Sequence, residues 1–459
     1  MIFMSIPEPQ VELARNLKNR HVQLIAIGGT IGTGLFLGAG KSIHLAGPAI
    51  LLAYLITGIV CFILMRALGD LLLSNLQHRS FIDFINDYLG PTAGFIAGWT
   101  YWVCWIAIAM AEVTAIGLYV RFWLPNVPQW LPGTIILAIL LTLNSITVLL
   151  FGETEFWFAL IKIIAILALI IVGVFMMVGH VKTPVGHADL RNLISYGGFF
   201  PKGIRGFLLS FQMVVFSFVG IEMVGLTASE TQNPTKVIPK AINQIPLRII
   251  LFYVGSLLVI MGIYPWNQVN PNESPFVTVF DSIGIKFAAS LINFVVLTAA
   301  ASACNSSLFS AGRMLFSLTL KSHQPHLQKL GHLSKNHVPK NALLFSGIVI
   351  AIAVLLNIFM PGEVFTLISS VATTCFIFIW GAIIIAHLRY RRTKTGQRSQ
   401  FKLPAAPYSD YLVLIFLGFT FVILLLNRST LIALLIAMIW LCLLAILSHL
   451  KSKRNHHLS

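Results

Sequence analysis

The stretch Ile27–Ser42, IGGTIGTGLFLGAGKS, carries glycine at positions 28, 29, 32, 34, 38 and 40 in the first run of the chain apolar enough to enter a bilayer. It has two readings, a phosphate-cradling loop of a soluble nucleotide enzyme or an interruption in a spanning helix. The segment GAGKS resembles the end of a phosphate loop, but the required first glycine position holds Leu35 and no charged strand-turn-helix context surrounds it. The dinucleotide fingerprint fails as well, because the glycine spacing runs in the reverse order. Each glycine lowers helix propensity by about 1 kcal/mol relative to alanine, and Thr30 and Thr33 can bond a freed backbone. Unwinding is therefore cheap between Gly28 and Gly34. Close packing of helices through small residues is the competing explanation for the same glycines.

Composition sets the surroundings. Of 459 residues, 57% are hydrophobic and 10% charged, where a soluble domain carries about 25% charged residues, and the mean hydropathy is +0.87. The net charge of +16 would suit nucleic acid if it lay on one soluble face, but Lys and Arg sit mainly in short gaps between long apolar runs, so no nucleic-acid partner is expected. The first twenty residues, MIFMSIPEPQVELARNLKNR, lack an apolar signal core and a small-residue cleavage site, so no cleaved leader or lipid anchor is expected. Cys61, Cys104, Cys304, Cys375 and Cys442 are scattered without metal spacing and read as packing residues. No metal site, cofactor or obligate protein partner is expected.

At about 20 apolar residues per crossing, the chain divides into about twelve transmembrane segments with cores at 22–40, 47–73, 92–118, 133–150, 157–179, 206–228, 247–266, 287–310, 342–360, 364–387, 411–427 and 430–449. An even number returns both termini to one side. Basic residues of short loops mark the cytoplasm. One side collects Arg15, Lys18, Arg20, Arg79, Lys236, Lys240, Arg248, five positions from Arg313 to Lys340, the loop RYRRTKTGQRSQFK, and the tail Lys451, Lys453 and Arg454. The other side has fewer, Lys41, Arg121, Lys182, Arg191, Lys202, Arg205 and Arg428, while the gap between segments 4 and 5, which should be internal, has none. The expected layout is a cytoplasmic tail (1–20), a five-helix unit (21–179), a second five-helix unit (206–387), a cytoplasmic loop (388–410), two further helices (411–449) and a second cytoplasmic tail (450–459).

Segment 6, FQMVVFSFVGIEMVGLTASETQNP, repeats the anomaly of segment 1, with Gly220 and Gly225 flanking an intramembrane Glu222. Segments 1 and 6 hold the same place in two five-helix halves. Five is odd, so the halves enter the membrane from opposite sides, as inverted repeats. Paired broken helices at corresponding positions point to a midplane substrate site in a secondary transporter. Unwound backbone supplies the chemistry, because free amides at the start of a half-helix favour an anion and opened carbonyls accept from a cation. Gly32, Thr33 and Gly34 are candidates for holding a carboxylate. Carbonyls around Phe216 and Val219, with Thr30, are candidates for an ammonium group. A carboxylate receptor beside an ammonium receptor describes an amino acid.

The stretches RNLKNRHVQLIAIGGTIGTGLFLGAGKSI, GWTYWVCWI, FGETEFWFALIKI, FSFVGIEMVGLTASETQNP and INFVVLTAAASACNSSLFSAGRMLF closely resemble bacterial amino-acid permeases of the amino acid-polyamine-organocation superfamily, from about Arg15 to Leu450. Within it the chain is most similar to the D-serine/D-alanine/glycine permeases. The resemblance implies two inverted five-helix repeats with broken helices 1 and 6 plus two C-terminal helices, and proton-coupled uptake across the bacterial cytoplasmic membrane. It also implies that Gly32, Thr33 and Gly34 match the carboxylate-binding motif and that Phe216 matches an aromatic gate. Asp70, and Ala311 with Gly312, stand where that family often carries Glu and hydroxyl residues.

Intramembrane charges cost about 2.5 to 3.5 kcal/mol each at a helix centre, and so call for a reason. Lys162, in EFWFALIKIIAIL, is a candidate for proton coupling, which the resemblance supports by placing it where sodium-coupled relatives bind sodium; structural pairing or snorkelling toward the cytoplasm stands beside that reading. Glu222 and Glu112 are the other candidates for carrying a proton. Glu230 and Arg313 read as gate or loop ion-pair residues, and the aromatic cluster WTYWVCWI as interfacial or packing material. Neither a zinc motif nor a Ser/His pair argues for an intramembrane enzyme, and the tails are short for a sensor.

Overall fold

The computed structural model describes residues 31–78, 80–223, 225, 233–282, 284, 286–320, 324–360 and 363–456. Within them the chain is helical almost throughout, and the strands are one two-residue pair, Lys182–Thr183 against Gly186–His187. Lipid offers no hydrogen bonds to the backbone, so a spanning chain must satisfy its own amides and carbonyls, and a helix does so within one segment.

Among the described residues nine helical runs are long and apolar enough to cross a membrane. The first, Thr33–Ser74, contains two crossings: segment 1 as Thr33–Phe36 and Gly38–Ala46, and segment 2 as Ile50–Ser74. Two shorter apolar helices, Trp130–Ile146 and Gly203–Phe216, supply segments 4 and 6. With segments 3 (Pro91–Arg121), 5 (Val148–Val178), 8 (Lys286–Thr319), 10 (Val364–Arg391), 11 (Tyr408–Leu425) and 12 (Arg428–His456), segment 7 ending at Ile263 and segment 9 within Lys340–Phe359, the order is that of twelve crossings.

Two boundaries differ from the sequence reading. Segment 5 was expected to begin at 157, leaving residues 151–156 in a gap, but its helix begins at Val148 with only Thr147 separating it from segment 4. Thr147 sets that start, its hydroxyl accepting the Leu150 amide at 3.2 Å as an N-cap. Segment 6 ends as a regular helix at Phe216, twelve residues short of the expected limit. Gly28, Gly29, Thr30, Arg79 and Glu230 lie outside the described residues.

Segments 3 and 10 form the centre of the bundle, with 78% and 72% of their most apolar windows buried, against 28% for segments 5 and 12. The peripheral helices turn large side chains outward, among them Ile164, Ile171, Phe175, Ile439 and Leu443. Such a surface suits acyl chains. This arrangement places the two interrupted helices against the most enclosed part of the molecule.

Candidate functional site

The first interruption is built on Gly32, whose backbone is extended (φ −125°, ψ −156°) immediately before the helical turn that starts at Thr33. The Gly32 carbonyl accepts from the amides of Leu35 (3.2 Å) and Phe36 (3.3 Å), so Thr33 and Gly34 are the first residues of a new helical start and their amides precede its ladder. The Thr33 amide donates instead to Glu112 Oε1 of segment 3 at 3.2 Å. Glu112 Oε2 and the Thr33 hydroxyl are buried with no hydrogen-bond partner among the described residues.

The second interruption follows Phe216. The chain descends through tight i→i+3 turns, Phe218 N to Val215 O (3.0 Å), Val219 N to Phe216 O (3.2 Å) and Ile221 N to Phe218 O (3.3 Å). Gly220 then takes φ +87°, a left-handed conformation that a side chain disfavours, under the Trp105 ring. Ser217 is fixed from three directions: its hydroxyl accepts from Tyr54 (3.0 Å) and donates to Met213 O (3.1 Å), and its carbonyl accepts from Tyr253 (3.1 Å).

The two interruptions touch. A Cβ on Gly34 would lie 2.7 Å from Ser217 Cα, and one on Gly32 would lie 2.6 Å from Glu112 Oε1. Between them is a narrow cavity of ≈20 Å³, room for about one water, lined by Gly32, Gly34, Ile108, Glu112, Phe216, Ser217, Val219, Ala303 and Ser307. The Phe216 ring meets Phe365 edge-on at 5.9 Å, and the Lys41 ammonium sits 5.6 Å from the Phe365 centroid while reaching Thr366.

Two further groups of buried charges, around Lys162 and around Glu222, involve residues singled out from sequence. Lys162, fully buried, donates to Ile31 O at 3.1 Å and to the Ser302 hydroxyl at 2.9 Å. Ser302 in turn donates to Glu155 Oε1 at 2.6 Å. Glu222 accepts from the Tyr101 hydroxyl and from Trp380 Nε1, both at 3.1 Å, and does not line the cavity. Tyr101, Trp102 and Trp105 of the aromatic cluster are buried and pack inside the bundle, Tyr101 and Trp105 against Glu222 and Gly220 of segment 6 and Trp102 against Phe345 and Ser346 of segment 9. The Arg313 guanidinium lies 3.4 Å from the Phe309 centroid.

Of the residues singled out from sequence, Gly32, Gly34, Glu112, Phe216 and Val219 converge on one cavity, Thr33 is bonded to its wall, and Lys162 reaches it through the Ile31 carbonyl. Glu155, Ile108, Ser302, Ala303 and Ser307 were not anticipated. For Glu155 a signal existed: it precedes Lys162 by seven residues, two helical turns on the same face, and was obscured by placing 151–156 in a gap.

Comparison with known proteins gives the family. The family model described as Amino acid permease matches residues 21–458. The amino-acid permease AapA of Bacillus subtilis is 62% identical, covering 97% of each chain. The D-serine/D-alanine/glycine transporter of Escherichia coli is 48% identical over 93% of this chain and 92% of that one. The DL-alanine permease SerP2 of Lactococcus lactis is also 48% identical, over 85% of each. A multi-span helical bundle with two apposed helix interruptions, matched over nearly its whole length, belongs to the amino acid permease family.

Proposed function

We propose that the protein carries small neutral amino acids, namely glycine, D-alanine, L-alanine and D-serine, into the bacterial cell by proton-coupled alternating access, with both termini cytoplasmic. The two five-helix repeats (21–179 and 206–387) hold the substrate between their broken helices. The observation that carries this reading is the contact of the two interruptions, Gly34 against the Ser217 backbone, around a cavity walled by Gly32, Ile108, Val219, Ala303 and Ser307. The cavity holds about one water as it stands, so it must widen to admit even glycine, and small side chains ask the least widening of it.

In this reading the amides of Gly32, Thr33 and Gly34 receive the substrate carboxylate, and the carbonyls of Phe216 and Val219, with Thr30, receive its ammonium group. The Thr33 hydroxyl, without a hydrogen-bond partner among the described residues, is a group a polar ligand would satisfy. Phe216 closes the cavity by packing on Phe365. Lys162 ties proton occupancy to segment 1, because its ammonium holds the carbonyl of the residue immediately before Gly32. Loss of that proton loosens segment 1 at the substrate site, so proton and substrate share one conformational equilibrium. The D-serine/D-alanine/glycine and DL-alanine relatives support the substrate class.

The test is uptake of a panel of labelled amino acids by proteoliposomes, with and without an inward proton gradient and without sodium. Small neutral amino acids should accumulate only with the gradient. Preference for an aromatic or basic substrate would move the chain to another class of permease, a sodium requirement would remove proton coupling, and binding without uptake would indicate a sensor.

A further inference from the structure

Glu155 sits in the membrane-spanning part of segment 5 with no exposed surface, in a place where a carboxylate is expensive and calls for a function. Its surroundings donate toward it from both sides. The Lys162 ammonium has no acceptor capacity, so it donates to the Ser302 oxygen (2.9 Å). The Ser302 hydroxyl, having one proton, gives it to Glu155 Oε1 (2.6 Å). On the other carboxylate oxygen, Oε2 receives the Asn305 amide at 3.5 Å, and Asn305 Oδ1 receives Asn144 of segment 4 at 2.6 Å. Asn144 borders a second small cavity, ≈10 Å³, shared with Thr147, Arg313 and Pro339. That is about the room one water needs. Glu155 is seven residues nearer the start of its helix than Lys162, about 10 Å along the axis, toward the end that faces the cytoplasm if both termini do.

We propose that Glu155 is the internal proton acceptor for Lys162, with Ser302 as the hydroxyl that relays between them and the Asn305 amide, itself held by Asn144, steadying the carboxylate that receives the proton. The proposal rests on the proton-coupled reading given above and extends it by naming where the proton goes. One N–H bond of the ammonium breaks and a new O–H bond forms on Ser302. The original Ser302 O–H breaks in the same step, and an O–H bond forms on Glu155 Oε1. The products are a neutral amine and a neutral carboxylic acid, the total charge of the pair is unchanged, and no water need enter the core for Lys162 to release its hold on the Ile31 carbonyl. The Asn305 and Asn144 amides donate toward Glu155 and accept no proton from it, so Glu155 gives its proton to a water entering from the cavity beside Asn144, the O–H bond on Oε1 breaking as a third O–H bond forms on that water. The other charged groups around the relay are Glu112 on segment 3, across the Ile31 turn, Glu153 on the same helix as Glu155, and Arg313 on segment 8 at the cavity end. Segment 4 presents the neutral Asn144.

A purely structural Glu155 would join segments 5 and 8, and its loss would lower every activity together. A relay separates them. In proteoliposomes containing the full chain, Glu155→Gln should retain counterflow exchange of labelled alanine within about twofold of the parent, while accumulation driven by an inward proton gradient falls at least tenfold and its dependence on internal pH flattens. Glu155→Asp should recover part of the accumulation. Ser302→Ala, which leaves both charges in place, should impair the same driven step and spare exchange, so that the conclusion does not depend on one variant's folding. Parental accumulation by Glu155→Gln with Lys162→Met defective would overturn the assignment of Glu155 while leaving proton coupling through Lys162 standing. Parental accumulation by Lys162→Met would overturn proton coupling itself, and the relay with it. Equal loss of exchange and accumulation in both Glu155→Gln and Ser302→Ala, with an unaltered pH profile, would assign Glu155 to structure.

Discussion

Glu112 Oε1 accepts the Thr33 amide at 3.2 Å across the first helix interruption, so a carboxylate of the protein already holds one of the amides proposed for the carboxylate of the substrate. Two anions 4 Å apart repel by about 4 kcal/mol at the effective dielectric of a protein site, and they compete for the same donor. Glu112 must therefore withdraw or be neutral when the substrate is bound. Glu112→Gln keeps the shape and removes the charge, so equilibrium binding of alanine should tighten several-fold and lose its pH dependence, while turnover falls. Calorimetric or scintillation-proximity binding between pH 5 and 8 reads both. Weaker binding by the Gln variant would make Glu112 a ligand of the substrate instead of its competitor.

Gly32 and Gly34 of the proposed carboxylate site should respond differently to alanine. On Gly34 the new methyl would meet Ser217 Cα, which is backbone held by Tyr54 and Tyr253. On Gly32 it would meet the movable end of Glu112 and, at 3.1 Å, Ala303 Cβ, from an extended backbone that any residue adopts. Overpacking against a fixed partner costs about 1–3 kcal/mol. Gly34→Ala should thus weaken alanine binding at least tenfold more than Gly32→Ala, and valine at either position should abolish it with insertion preserved. Similar affinities for the two alanine variants would place the substrate away from the contact between the interruptions.

Hydropathy and glycine placement made most of the architecture legible, because both act locally: an apolar run of sufficient length is a crossing wherever it packs, and Gly32 or Gly220 weakens a helix whatever lies beside it. The errors lie where a tertiary partner decides. Gly152, Glu153 and Glu155 lower the local hydropathy enough to imitate a loop, yet the segment is helical because Thr147 caps it and because Ser302 and Asn305 of segment 8 satisfy Glu155. Likewise, Tyr101 and Trp380 approach Glu222 from positions 121 and 158 residues away. No periodicity in the chain reports such a meeting. Glu112 was identifiable as a buried charge, but its bond to Thr33 spans 79 residues and reverses part of its meaning, from proton carrier alone to occupant of the site.

Substrate size should be set by Ile108 and Phe216, the large side chains in a lining otherwise made of small residues, Val219 and Glu112. Ile108 stands one helical turn from Glu112 on segment 3, and Phe216 closes against Phe365. Ile108→Ala should enlarge the cavity while sparing the groups proposed to hold the carboxylate and ammonium, so leucine or phenylalanine should begin to compete with labelled alanine. Phe216→Ala should instead speed substrate loss, seen as faster efflux with unchanged side-chain preference. A selectivity unmoved by Ile108→Ala would put the side-chain pocket elsewhere.

His387 of segment 10 lies between two carboxylates, its Nδ1 2.7 Å from Asp410 Oδ1 and its Nε2 3.2 Å from Asp70 Oδ2, with all three side chains fully buried. Both ring nitrogens face acceptors, so the arrangement is satisfied by the doubly protonated ring donating on each side. The Arg391 guanidinium stands 3.8 Å from Asp70 and completes the charge balance. The cluster ties segment 2 to segments 10 and 11, which meet only through folding. Removing one partner from a buried ionic group strands the others, at a cost of about 3–5 kcal/mol, whereas replacing the whole group by matched neutral residues is often close to neutral. His387→Ala should therefore lower the thermal unfolding midpoint of the detergent-solubilised protein by several degrees. The triple change Asp70→Asn, His387→Leu and Asp410→Asn should restore most of it. An unchanged midpoint in His387→Ala would show that the cluster contributes nothing to holding these helices, and an equal loss in the triple variant would trace the stability to the specific charged geometry instead of to the relief of stranded carboxylates.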